Sequence, residues 1–257
     1  MRLCFTSLAY PELALAEVLE RAVIMGFDGV ELRVAEDGIH LSPVSPIPRQ
    51  QIEFLESYNL PVPVLSSYLR LSEMQGGDRT PAASLANNLV KLAAEIGASG
   101  LRVYGGEFPK SPERVINGYK RLVRIAEDYD VKIMIETHDH LAETSNIAKL
   151  LGLSDEPIFL YDPANIILAG GSHGEAFKLL KGRIWHVHLK DFVASEGRRF
   201  FTPPGEGVVP LPEIVSDLKQ SGYVGYLSVE WERFWHRDLV SGDIILPLYR
   251  DYLRRLI

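Results

Sequence analysis

The chain has 257 residues, of which 46% are hydrophobic and 24% charged, so it can bury a large core and has neither a disordered nor a fibrous composition. Its formal net charge of -7 argues against a nucleic-acid or membrane-surface partner, because both select for clustered positive charge. Cys4 is the only cysteine and no apolar run is long enough for a membrane span or a signal segment, so we expect a cytoplasmic protein without disulfides.

Short runs rich in β-branched and aromatic residues recur along the chain and predict eight β-strands. In chain order these are 2–6, 27–33, 61–67, 99–105, 131–137, 157–162, 183–189 and 224–231. The intervals between them have helical periodicity, most clearly at 11–25, 80–97 and 111–129. Pro11 near the start of the first helix, and Ser111 as the cap of the third, fit the usual start signals.

Strands that alternate with helices predict a parallel sheet with right-handed crossovers. Eight such units in 257 residues match the size of a (β/α)8 TIM barrel. A doubly wound open sheet is the alternative, but its strands would be apolar on both faces. Several strands here are polar on one face near their C-terminal ends. We therefore predict an α/β fold with a single (β/α)8 barrel domain over residues 1–257.

Ionisable residues mark the C-terminal ends of four successive predicted strands. They are Glu136, Asp162, His188 and Glu230. The C-terminal ends of barrel strands open at one mouth, so these side chains should converge. Three carboxylates in one cavity repel each other unless a cation or shared protons intervene. Three oxygen donors and one imidazole suit Mn²⁺, Mg²⁺ or Co²⁺, with Zn²⁺ as an alternative, so we predict one divalent metal per chain.

Three neighbouring polar residues also have a structural interpretation. Alternation in "WHVHLKD" places His186 two residues deeper than His188, where it fits a hydrogen-bonded core histidine. Arg102 fits an ion pair with one of the acidic residues, Glu31 or Glu136. Lys190 fits an ion pair at a loop edge with the aspartate that follows it. The metal interpretation depends on the joint occurrence of ligand types on four strands.

These segments resemble the sugar phosphate isomerase/epimerase superfamily, the xylose isomerase-like TIM barrels. The resemblance covers nearly the whole chain, and the order and spacing of its motifs are specific for the superfamily but not for a substrate. The motifs are "GFDGVELR" (26–33), "IETHDH" (135–140), "YDPANI" (161–166), "HVHLKD" (186–191), "PPGEGVVPL" (203–211) and "GYVGYLSVEWE" (222–232).

By that resemblance, the four converging residues are the metal ligands, and Glu136 and Glu230 are also the catalytic acid/base pair. The implied activity is a divalent-metal-dependent isomerase or epimerase of a small ketose or polyhydroxy carbonyl compound, with proton transfer through a metal-bound enediolate. The residues expected to contact the sugar or polyol substrate are His138, Asn165, Lys190, His186, Arg102 and Glu31. Asn165 stands where well-studied epimerases of the family often have a histidine.

The same metal cage serves other activities in this superfamily. A dehydratase of a keto-polyol such as a keto-inositol is the main alternative. An endonuclease IV-like nuclease would need further histidines, which Asn165 and "GEG" (205–207) do not supply. A non-catalytic sugar-binding barrel would not need three carboxylates at one point. The sequence is compatible with a homo-oligomer but carries no pattern that specifies one.

Two further segments have features of a phosphate-binding site. "AGGSHGEA" (169–176) could attract a phosphate, but a helix cap formed by Ser172 explains it better. The arginines of "EGRRF" (196–200) are more simply solvated, so we do not predict a phosphorylated substrate. Beyond the last strand, Phe234 and Trp235 are candidates for an aromatic wall of the pocket. Alternation along the strand predicts that Trp231 points to the outside of the barrel.

Overall fold

The computed structural model describes residues 1–77, 79–108, 110–195 and 198–257, without the side chains at 195 and 198. Its main sheet has eight parallel strands in the order β1-β10-β7-β6-β5-β4-β3-β2. Their bounds are β1 Arg2–Phe5, β2 Leu32–Arg33, β3 Val64–Arg70, β4 Gly100–Tyr104, β5 Lys132–Glu136, β6 Ile158–Tyr161, β7 Ile184–Leu189 and β10 Tyr226–Val229.

The sheet closes between its two edge strands, β1 and β2. Thr6 and Glu31 form a parallel bridge. The Glu31 N–H donates to the Phe5 carbonyl at 2.9 Å, and the Ser7 N–H donates to the Glu31 carbonyl at 2.9 Å. A closed ring of eight parallel strands is the predicted TIM barrel and not the open-sheet alternative.

Helices cover the outside of the barrel. Within the described residues they are α1 Leu15–Ile24, α2 Arg49–Ser57, α3 Pro81–Glu95, α4 Pro112–Ala126, α5 Thr144–Leu153, α6 Pro163–Leu168, α7 His173–Leu180, α8 Leu211–Gln220 and α9 Gly242–Arg254. In α4 the residues spaced three and four apart, Val115, Tyr119 and Leu122, are buried against the strands. None of the helices in these ranges combines the length and the apolar character needed to cross a bilayer.

Some local predictions were wrong. Helix α1 begins at Leu15, four residues after Pro11, because residues 11–13 form a turn. Ser111 is the N-cap residue of α4, as predicted, and Pro112 begins the helix, but the Ser111 side chain makes no cap hydrogen bond. An antiparallel hairpin, β8 Asp191–Ser195 and β9 Arg198–Thr202, follows β7 and was not predicted.

The interior of the barrel changes from apolar to polar along the strands. Val64, Met134 and Leu160 form a small apolar cluster of their own. Two residues further along the same three strands stand polar residues, among them Glu136 and Asp162. Because side chains alternate, these point into the same interior, nearer the C-terminal mouth. The fold therefore places an enclosed polar site above an apolar floor.

Candidate metal centre

The four predicted ligands meet inside the mouth of the barrel. Glu136 ends β5, Asp162 follows β6, His188 lies in β7 and Glu230 follows β10. All four are buried, and each offers one ligand atom such that these atoms lie within 4.8 Å of one another. Ligand atoms on opposite sides of one divalent ion are about 4–5 Å apart. The side chains could therefore hold a single ion without rearrangement of the strands.

The orientation of the His188 ring fits a metal ligand. Its Nε2 lies 2.9 and 3.1 Å from the two carboxylate oxygens of Glu31, which can only accept, so Nε2 carries the proton. Nδ1 lies 3.2 Å from Glu230 Oε1 and 3.6 Å from Glu136 Oε1, and it has no hydrogen bond with any described residue. A buried nitrogen that faces two carboxylates in this way is suited to hold a metal ion between them.

Glu136 is paired with a buried arginine. Its Oε2 makes no hydrogen bond within the described part of the chain and lies 3.2 Å from Arg102 Nε. Arg102 is held by its Nη1, which donates to the Ser67 carbonyl at 2.8 Å, and by the Tyr104 ring, 4.4 Å from the guanidinium carbon. Burial alone would raise the pKa of Glu136, but the Arg102 charge keeps that pKa below its usual value. Arg102 thus pairs with Glu136 and not with the other acidic candidate.

Lys190 lies inside the site. It is 2% exposed, which corrects its predicted place at the rim, and it does not pair with the aspartate that follows it. Its Nζ donates to Asp162 Oδ2 at 2.7 Å, to Glu230 Oε2, and lies 2.8 Å from Glu232 Oε1. Burial would lower the pKa of Lys190, but these three carboxylates together hold it well above its ordinary value.

The other carboxylates of the centre respond to the same charges. Burial raises the pKa of Asp162 to about 6, although the Lys190 charge acts in the opposite direction. Asp162 Oδ1 also accepts from the Asn165 N–H at 3.1 Å and so caps α6. Burial would raise the pKa of Glu230 too, but His188 and Lys190 hold it well below its usual value. Burial would lower the pKa of His188, but the carboxylates around it, Glu230 first, raise it well above its usual value.

Asp191 has a role that the sequence analysis missed. Its carboxylate accepts from the backbone N–H groups of Gly205 and Gly207 at 2.9 Å and of Val209 at 3.0 Å. A Cβ at Gly207 would overlap this carboxylate, which explains the second glycine of "GEG". Asp191 therefore fixes the 203–209 loop beside the mouth. The sequence feature that could have identified this role is the position of Asp191 directly after Lys190, the last residue on the polar face of the strand.

Two residues predicted to contact the substrate lie beneath the centre. Glu31 and His186 are 0% and 2% exposed, and His186 Nε2 lies 2.9 Å from Glu31 Oε2. Cys4, buried as predicted, is beside them. Because Glu31 is fully buried and accepts from both His186 and His188, its geometry favours a supporting role.

The remaining candidates line the rim. His138 is half-buried, with its ring 4.9 Å from that of Tyr104. Asn165 is buried, and its Nδ2 has no hydrogen-bond acceptor within the described ranges. Trp235 is 54% exposed and Phe234 lies against Arg33, with 4.0 Å from the guanidinium carbon to the ring centre. Substrate contact by these residues stays a prediction.

The phosphate candidates are accounted for by protein contacts. The Ser172 side chain accepts from the Glu175 N–H at 3.3 Å, which confirms the helix cap. Arg199 Nη2 lies 3.1 Å from Glu232 Oε2. Residues 196 and 197 and the Arg198 side chain lie outside the described residues.

The sequence matches the family model of the xylose isomerase-like TIM barrels over residues 19–245. The chain therefore belongs to this family. The match confirms the resemblance that the motifs indicated and agrees with the closed barrel.

The curated relatives that it matches include dehydratases. It is 29% identical over 153 residues to the inosose dehydratase of Clostridium botulinum (strain Alaska E43 / Type E3), with 51% of each chain covered. It is 31% identical over 142 residues to the inosose dehydratase of Klebsiella pneumoniae subsp. pneumoniae, with 47% of this chain and 48% of the relative covered. The chain thus spans about half the length of the curated relatives that it matches.

Solved structures share the fold over the whole chain. The probable 3-DHS dehydratase AsbF from Bacillus anthracis has a TM-score of 0.78 at 19% identity, with 99% of both chains covered. The IOLI protein with a bound zinc atom has a TM-score of 0.77 at 19% identity, covering 100% of this chain and 99% of that one. The D-allulose 3-epimerase from Methylomonas sp., in complex with D-allulose, has a TM-score of 0.75 at 14% identity, covering 100% and 97%.

Proposed function

We propose that this chain is a divalent-metal-dependent dehydratase that removes water from a small keto-polyol of the keto-inositol type. Its sequence relatives named inosose dehydratase support this alternative over the isomerase or epimerase that the motifs first implied. The structural neighbour named as a probable 3-DHS dehydratase supports it further.

The observation that carries the proposal is an asymmetry between the two catalytic glutamates. Glu136 Oε2 is paired with Arg102 Nε at 3.2 Å, and this guanidinium, which does not give up its proton, keeps the carboxylate ionised and able to act as a base. Glu230 Oε2 is bound to the Lys190 ammonium, which is itself a buried acid. Dehydration needs one base and one acid, whereas epimerisation needs two interchangeable acid/base groups on opposite faces of a carbon.

The residues of this chain divide the reaction as follows. Glu136 removes the proton from the carbon beside the substrate carbonyl. The electron pair of that C–H bond forms the new double bond, and the C–O bond on the neighbouring carbon breaks. Lys190 gives a proton to the departing hydroxide, which leaves as water. Proton return from Glu136 to Lys190 restores both groups, so the reaction needs no oxidant or reductant.

A divalent ion would be held by the four converging side chains, and when bound it would supply the positive charge that makes the carbon beside the carbonyl acidic. The Nδ1 of His188, which has no hydrogen-bond partner among the described residues and faces two of the carboxylates, supports this fit. The zinc in the IOLI neighbour supports a metal in this family without identifying the ion here.

An epimerase of a small ketose is the second candidate. The observation that favours it is the position of Glu136 and Glu230 on β5 and β10, with β6 and β7 between them in the ring. Carboxylates three strands apart in an eight-stranded barrel face each other across its interior, as two-base proton transfer requires.

Product mass separates the two candidates. The protein loaded with Mn²⁺ is incubated with a keto-inositol and, separately, with D-allulose in deuterated water. A keto-inositol product lighter by one water, absent with Lys190→Met, is expected. Deuterium uptake by D-allulose at an otherwise unchanged mass would replace the proposal by the epimerase. Absence of both reactions in a metal-loaded protein would contradict each of them.

A further inference from the structure

Beneath the candidate metal centre, the carboxylate of Glu31 accepts hydrogen bonds from side chains of three other strands. Ser66 and Ser228 donate through their hydroxyl groups, Ser228 at 2.7 Å. His186 donates from Nε2 at 2.9 Å, and His188 donates from Nε2 to both oxygens at 2.9 and 3.1 Å. All five side chains are at most 2% exposed. A buried carboxylate survives in the ionised form only with donors of this kind.

These contacts leave no place for a second ion. The reactive atoms of Cys4, Glu31 and His186 lie within 4.8 Å of one another, so their types alone would suit a metal. The two oxygens of Glu31 offer about four lone pairs, and the hydrogen bonds from the serines and histidines already use them. Glu31 is therefore a hydrogen-bond acceptor for the histidines.

The consequence for His188 concerns which ring nitrogen is free. A neutral imidazole has one N–H and one lone pair, and only an N–H satisfies an ionised carboxylate. Contact with Glu31 therefore assigns a proton to Nε2, and in the neutral ring that a metal ion needs, the lone pair falls on Nδ1. Nδ1 faces Glu230 Oε1 at 3.2 Å and Glu136 Oε1 at 3.6 Å, at the centre of the proposed ligands.

We propose that Glu31 is the positioning residue of the metal centre, because it holds the His188 ring in the orientation and the tautomer that present Nδ1 to the ion. The inference rests on the metal-binding part of the proposed function and not on the reaction catalysed. Without Glu31 the Nε2–H of His188 loses its acceptor. The ring can then rotate about its side-chain bonds and can carry its proton on either nitrogen. Carboxylates that support a metal-bound histidine in this way typically contribute 10- to 100-fold in metal affinity, so about that loss is expected.

The test compares metal binding by the parent, Glu31→Gln and a control, Asp28→Asn. Asp28 is a half-buried carboxylate that accepts from the Leu3 N–H at 2.7 Å and pairs with Arg254, away from the centre. Zn²⁺ and Mn²⁺ affinities are measured by competition with a chelating dye, and the fold of each protein by circular dichroism. In parallel, ¹⁵N-histidine NMR of the zinc-loaded parent reports which His188 nitrogen holds the metal and which holds the proton.

The proposal expects zinc on Nδ1 and a slowly exchanging proton on Nε2 in the parent, with weaker metal binding by Glu31→Gln and unchanged binding by Asp28→Asn. A folded Glu31→Gln with the parent's affinity would overturn it, as would zinc on Nε2. If Glu31→Gln does not fold, the NMR result for the parent tests the proposal, because zinc on Nδ1 of His188 supports it and zinc on Nε2 overturns it. If the parent binds neither Zn²⁺ nor Mn²⁺, the proposed metal centre itself is refuted. That result is distinct from a lack of activity toward any substrate.

Discussion

Replacement of Lys190 by methionine tests whether the ammonium and the metal neutralise the same carboxylates. Methionine keeps most of the side chain's length and removes its charge. In the parent, Lys190 Nζ lies 2.7 Å from Asp162 Oδ2 and 2.8 Å from Glu232 Oε1, and it also bonds Glu230. Loss of one partner of a buried ion pair costs about 3–5 kcal/mol, so the metal-free variant should lose about that much free energy of unfolding.

A divalent metal should restore part of this loss. Asp162 and Glu230 belong to the proposed ligand set, and in the variant they no longer share their charge with an ammonium. A ligand present at about 100 times its dissociation constant stabilises a native protein by about 2.7 kcal/mol. Because the variant should bind the metal more tightly than the parent, its gain at the same metal concentration should be larger.

Urea unfolding followed by circular dichroism, with and without Mn²⁺, measures both effects. Lys120→Met is the matched control, because Lys120 makes an exposed pair with Glu156 at 3.0 Å. Its free energy of unfolding should change by at most about 1 kcal/mol and without dependence on metal. An equal loss for Lys190→Met with and without Mn²⁺ would refute the reasoning, since the metal and the ammonium would then act on different groups.

Three further outcomes are expected. Glu136→Gln should keep its fold but lower kcat by about 10²–10⁴, because the amide cannot remove a proton; a dehydration assay at saturating Mn²⁺ checks this. Metal affinity, measured by titration calorimetry at a series of pH values, should fall as the pH falls through about 6. The reason is that burial raises the pKa of Asp162 to about 6, and the raised pKa of His188 acts in the same direction. An affinity that does not change with pH would contradict this. Gly118→Ala should destabilise the protein by about 1–3 kcal/mol, because the added Cβ would overlap the backbone carbonyl of Leu71. The control Gly152→Ala, also in a helix but with open space around the added Cβ, should not destabilise it. Thermal unfolding of the two variants measures the difference.

The positions of the strands and of the four converging residues could be predicted because both follow from alternation. Period two identifies the face of each side chain, and the C-terminal end of a strand identifies the mouth. Depth inside the barrel does not follow from alternation, because it depends on how far neighbouring strands are staggered. His188 lies beside Ser228 in the register of β7 with β10, which places it above Glu31. No local pattern contains that register.

The same limit explains the misplacement of Lys190. Its position two residues past His188 suggested a rim residue, yet the three carboxylates around it draw the ammonium inward. The β8–β9 hairpin was missed for a different reason. Its strands are held by pairing with each other, and the loop beyond them by the Asp191 carboxylate, so both depend on tertiary contacts more than on local propensity.

The charges of the site indicate why one divalent ion fits it. Five carboxylates belong to the network, namely Glu31, Glu136, Asp162, Glu230 and Glu232. Among the residues that the structure describes, three permanent cations pair with them, namely Arg102, Lys190 and Arg199. If His186 and His188 are neutral, two negative charges remain. One divalent ion neutralises that charge. Without the ion, the site recovers balance by taking up protons, and the pKa of His188, which the surrounding carboxylates raise, is that response. The ion and the protons therefore compete for the same groups, so the centre should release protons when it is loaded.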